Sequence, residues 1–69
     1  MSEFVTRIVN YLEELGDEVY HHTDTYVTIG PNTTMGTIST ILNKLELDGF
    51  KVKYHFQYDS PTFVIYEED

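Results

Sequence analysis

Sixty-nine residues carry twelve Asp and Glu against four Lys and Arg, a formal net charge of −8 with histidines neutral, and include no Cys, Trp or Ala. A chain this short holds one domain and cannot enclose a large cofactor, and without Cys it has neither a disulfide framework nor a thiolate metal site. The acidic balance opposes unassisted binding to nucleic acid or to an anionic membrane, because counterion release needs Lys and Arg.

At 41% hydrophobic and 14% aromatic, the chain has the apolar content of a folded domain rather than of a disordered acidic tail. The first helix is announced by Phe4, Ile8, Tyr11, Leu12 and Leu15, one apolar stripe at three- and four-residue intervals. Ser2 is placed to cap its start, and Gly16 stands where a left-handed terminating residue is wanted. Glu18–His22 and Thr25–Ile29, rich in β-branched and aromatic residues and joined at Thr23-Asp24, read as a hairpin. Pro31-Asn32-Thr33-Thr34 breaks the chain and offers caps for a second helix, whose stripe is Ile38, Ile41, Leu42 and Leu45 and whose stop is Gly49. Val52–Gln57 and Thr62–Tyr66 form a second hairpin, turning at Asp59-Ser60-Pro61.

The order αββαββ is also an internal repeat. Displaced by 33 places, Val5–His22 falls on Ile38–His55 with seven of eighteen positions identical, among them Ile8/Ile41, Leu12/Leu45, Gly16/Gly49, Val19/Val52 and His22/His55. A single domain over 1–69 is expected, with pseudo-repeats at 2–30 and 33–67. The fold class is α+β: a four-stranded antiparallel sheet with two helices on one face, a permuted ferredoxin-like arrangement. The second strand of each hairpin should be central. Alternation assigns Val19, His21, Val27, Ile29, Val52, Tyr54, Phe56 and Val64 to the helix side, and Tyr20, His22, Tyr26, Thr28, Lys51, Lys53, His55, Phe63 and Ile65 to the open face. A winged helix, with 34–48 as recognition helix, ranks behind because it lacks a third helix and its recognition helix would be nearly uncharged.

Two surfaces are candidate sites. Glu13, Glu14, Asp17 and Glu18 surround the end of the first helix, and Glu46 and Asp48 hold the matching place in the second. Acids at a helix C-terminus oppose the macrodipole, so their recurrence points to a role beyond stability: binding a basic protein surface in place of nucleic acid. Plain solubility of a solvated face is the competing explanation. On the open face, Tyr20, Tyr26, Phe63 and Ile65 are candidates for self-association as a homodimer. Central-strand aromatics there also resemble the stacking platform of RNA-recognition modules, although the aromatic-glycine signature of that family is absent.

His21 and His22 are adjacent on a strand and point to opposite faces, so a shared metal is not expected, and His21 reads as a core histidine. The loop 30–37 is not a P-loop, since its glycines are one residue too far apart and no Lys precedes the last Thr. No nucleophilic or acid–base constellation emerges, and no cofactor is implied. No apolar run approaches the roughly 20 residues of a membrane span, and Met1–Asp17 lacks a signal peptide's apolar stretch, so a cytoplasmic protein is expected. Ala, Gly, Pro and Arg together number seven, against 23 for Phe, Tyr, Met, Ile, Asn and Lys. That balance leans toward an AT-rich genome. With the small size and acidity, it suggests a non-enzymatic phage or mobile-element accessory protein that inhibits or modulates a nucleic-acid-handling protein of its host.

Overall fold

The structure is a computed structural model that describes residues 2–30, 32–59 and 62–68. The breaker Pro31, the turn residues Ser60 and Pro61 and the tail residue Asp69 lie outside the described residues. The elements are α1 (Glu3–Glu14), β1 (Val19–His22), β2 (Tyr26–Ile29), α2 (Met35–Leu47), β3 (Val52–Gln57) and β4 (Thr62–Glu67). All strand neighbours are antiparallel, in the order β1-β2-β4-β3. No helix is long and apolar enough to cross a membrane among the described residues.

Both helices begin and end by the same local chemistry. Ser2 and Thr34 cap them, each accepting a hydrogen bond on its hydroxyl from the amide three residues on, Val5 and Thr37, at 3.2 Å. At the other end, Gly16 and Gly49 adopt φ of 75° and 95°. There the amides of Asp17 and Phe50 donate to the carbonyls of Leu12 and Leu45, and those of Gly16 and Gly49 to Glu13 and Glu46. These two bonds at each end form the Schellman motif, which needs a left-handed residue at its centre. The repeated Leu, Glu and Gly thus hold equivalent positions in the two helix ends.

One apolar layer holds the fold together. Phe4, Val5, Ile8 and Leu12 of α1 and Ile38, Ile41 and Leu45 of α2 pack onto Val27 and Ile29 of β2 and Phe63 and Ile65 of β4, all buried. Phe50, which follows Gly49, closes one side with its ring edge-on to Phe4 at 5.4 Å.

The face assigned to β4 is therefore corrected. Phe63 and Ile65 lie under the helices, and Val64 is buried outside that cluster, on the opposite face. The register explains it. Phe56 pairs with Phe63 and Tyr54 with Ile65 on one side, while Ile29 and Val27 pair with the same two residues on the other. Directly paired residues share a face, so β2 and β3 both send Phe63 and Ile65 inward. Between Thr62 and Tyr66, three consecutive apolar residues make alternation mute.

A second correction falls on β1. Its register shifts between Val19 and His21, and this bulge moves every later side chain to the other face. His21 pairs with Thr28 on the open face and is exposed there, not in the core, while His22 pairs with Val27 on the helix side.

A Cβ added at Gly49 meets nothing within 4 Å, so Gly49→Ala tests backbone conformation free of steric contact. It should destabilise the fold by about 1–2 kcal/mol in urea unfolding, with Gly49→Asn costing less because Asn tolerates the left-handed region. Equal stability of the three proteins would contradict the cap.

Candidate functional site

The acidic site is built by the way the helices dock. Arg7 of α1 lies against Asp48 (Nη1 to Oδ2, 3.1 Å), and the Tyr11 hydroxyl donates to the same carboxylate oxygen. Lys44 of α2 stands 5.0 Å from the centre of the Tyr11 ring and 3.8 Å from Glu14. Residue numbers rise along α1 as their partners fall along α2, so the helices are antiparallel. The end of α1 therefore meets α2 at Lys44, four residues, or about 6 Å of axial rise, before Asp48.

This geometry separates the six acids into different surroundings. Asp48 caps α2 and is held by Arg7, itself bridged to Glu3 at 3.1 Å, and by Tyr11. Glu14 faces Lys44. Glu46 is exposed away from both. Glu13, Asp17 and Glu18 come together along a hollow of about 670 Å³ between the end of α1 and β1, which His22 also lines. Asp17 is oriented there by the Glu18 amide, which donates to its Oδ1 at 2.9 Å. Three of the four cations are engaged elsewhere, Arg7 and Lys44 between the helices and Lys53 with Glu68 at 3.8 Å. Among the described residues, Glu13, Asp17, Glu18 and Glu46 form no ion pair. Chemically, the hollow is suited to a Lys or Arg side chain brought by a partner.

The self-association set is divided by the corrected register. Tyr20 and Tyr26 stand on the open face, but Phe63 and Ile65 do not. What the open face offers is a shallow concavity of about 580 Å³. Thr28, Thr62 and Val64, all buried, lie beneath it, with Tyr20, His21, Tyr26, His55 and Tyr66 around them. The rings touch in pairs, His21 with Tyr26 at 6.2 Å and His55 with Tyr66 at 5.9 Å. Among the described residues, no three His, Asp or Glu side chains are grouped to hold a metal ion.

Sequence reasoning did not single out Arg7, Tyr11 or Lys44. Their signal was present: Arg7 stands one turn before Tyr11, itself a member of the α1 stripe, at a spacing from which both can reach a neighbouring helix. The match across to Asp48 and Lys44 is a tertiary fact. It also missed the exposed aromatics at the sheet edge, Tyr54, Phe56 and Tyr58.

No family of known proteins matches this chain, and comparisons with curated proteins and with solved structures return no match either.

The clamp has a pH signature. The Tyr11 phenol is pushed above its ordinary value, chiefly because it donates its proton to the Asp48 carboxylate. A raised folded-state value means that the stabilisation is complete below the unfolded tyrosine value of about 10 and fades as pH rises through the higher folded one. Asp48→Asn should lower the Tyr11 midpoint, read from its ring-carbon NMR shift, and remove that part of the alkaline loss of stability. An unmoved midpoint would show that the bond is not formed in solution.

Proposed function

We propose that this chain is a non-enzymatic acidic interaction protein, which binds a basic surface on a nucleic-acid-handling protein and inhibits or modulates it. The single observation that supports this reading is the hollow beside β1, where Glu13, Asp17 and Glu18 stand together with no cation among the described residues to neutralise them. Like charges gathered without compensation cost stability, and the cost is recovered when a cationic partner arrives. Glu14, next along α1, adjoins this acidic end, whereas Glu46 stands near the end of the antiparallel α2, apart from it. Asp48 acts on this reading as a positioning residue, holding α1 against α2 so that the end of α1 is presented.

Electrostatic steering by a net charge of −8 makes such binding fast and weaker as salt rises. Within this proposal the two αββ units are copies of one ancestral unit in a permuted ferredoxin-like arrangement. The duplication accounts for one acid at both helix ends, Glu13 and Glu46, whereas Asp48, which holds α1 against α2, aligns with Leu15 and belongs to the second unit alone.

The test is capture from lysate of the native source with the wild-type chain and with a variant carrying Lys at 13, 14, 17 and 18. Wild type should retain a nucleic-acid-binding protein that added duplex DNA displaces, and the reversed variant should lose it while keeping its far-ultraviolet circular dichroism. Retention by both chains, or indifference to DNA, would overturn the reading.

A further inference from the structure

The two edges of the sheet are defended differently. β1 has four residues, an irregular register, and acids on both flanks at Asp17, Glu18 and Asp24. Shortness, a bulge and charge are the usual means of keeping an edge from pairing with another chain. β3 has six residues in unbroken register with β4, and no acid lies between Gly49 and Tyr58. Its one charged side chain in the strand, Lys53, pairs with Tyr66 in register and is drawn to Glu68.

The backbone of β3 can be read atom by atom. The Glu68 amide donates to the Lys51 carbonyl at 2.8 Å, and those two residues continue the register of β3 and β4. Hydrogen-bonded and non-bonded pairs alternate along an antiparallel ladder. Lys53, His55 and Gln57 therefore direct their amides and carbonyls at β4, and Val52, Tyr54 and Phe56 direct theirs outward from the sheet. Alternate side chains at this edge are aromatic and uncovered: Tyr54 is 56% exposed and Phe56 45%, and Tyr58 beyond them is 87% exposed.

We propose that β3 is the docking edge for a second copy of this chain, joined antiparallel about a two-fold axis at His55 into one eight-stranded sheet. A two-fold contact must be self-complementary, and this register is. It sets Tyr54 opposite Phe56 of the second copy and Val52 opposite Tyr58, each twice. It also sets Lys51 opposite the turn residue Asp59, so that each end of the contact closes with opposite charges. A register centred on Tyr54 also satisfies the backbone, but it places Lys53 opposite His55 and leaves Asp59 opposite Gly49. Charge complementarity selects the former. The contact uses none of the acids at the end of α1, so it stands apart from the function proposed above.

Sedimentation equilibrium at physiological salt should show twice the monomer mass, dissociating on dilution. The amides of Val52, Tyr54 and Phe56 should exchange slowly in the dimer and freely on dilution, while those of Lys53 and His55 stay protected throughout. Tyr54→Pro removes only an outward amide, as an edge strand tolerates, and should leave a folded monomer. Tyr54→Lys serves the same end if the proline disturbs the strand. Lys51→Glu should weaken association about tenfold, with Asp59→Lys in the same chain restoring it. A monomer at concentrations up to about 1 mM would overturn the proposal. So would a dimer whose Val52, Tyr54 and Phe56 amides exchange freely, or a charge swap that fails to rescue.

Discussion

The packing of Ile8, Leu12, Ile41 and Leu45 onto Val27, Ile29, Phe63 and Ile65 is the interaction on which everything else in this molecule depends. A chain of 69 residues can bury only one such layer, and these residues consume most of its long aliphatic side chains. What remains must stabilise the fold by other means or stay in water. The helices are therefore locked to each other by polar groups at the rim, with Arg7, Tyr11 and Lys44 meeting Asp48 and Glu14. On the open face beyond the sheet, tyrosines and histidines stand around Val64.

The layer also explains which parts of the fold were legible in the sequence. Ser2, Gly16 and Gly49 act within a few residues of themselves, so their type and position announced the helix ends. The stripes of both helices were legible because a period of 3.6 has one answer when polar residues fill the other face. β4 had no such answer. Thr62, Phe63, Val64 and Ile65 are all buried, as befits a central strand, and Thr62, the polar residue that starts the outer face, is as buried as the apolar residues after it. The hairpin register did carry the information: pairing Gln57 with Thr62 across the turn brings Phe56 opposite Phe63 and fixes the face. In β1 the bulge at Tyr20 is set by backbone pairing with β2, and nothing in Val19-Tyr20-His21-His22 reveals it.

For the candidate sites, composition gave the acids but not their fates. Glu13/Glu46 and Gly16/Gly49 recur, which suggested two equivalent acidic ends. The antiparallel docking of the helices breaks that equivalence. Asp48 lands beside Arg7 and Tyr11 and becomes structural, whereas Glu13, Asp17 and Glu18 face a hollow with no cation among the described residues. Acids at the two helix ends thus meet different surroundings, because one end has a neighbouring helix and the other a groove.

The same net charge acts in opposite directions on the two proposed surfaces. Two copies joined edge to edge place their centres four strand spacings apart, about 19 Å. Treated as point charges of −8, they repel by about 7 kcal/mol at 0.01 M salt and about 1 kcal/mol at physiological ionic strength. The two Lys51–Asp59 contacts are worth at most about 1 kcal/mol each, so at low salt the long-range repulsion outweighs those two contacts. Added salt relaxes that repulsion faster than it weakens contacts made at close range, so self-association through β3 should strengthen with ionic strength. A basic partner at the acidic end loses attraction over the same range. On these two proposals, the placement of every acid outside the stretch from Gly49 to Tyr58 lets one chain carry both behaviours, with salt deciding which surface is used.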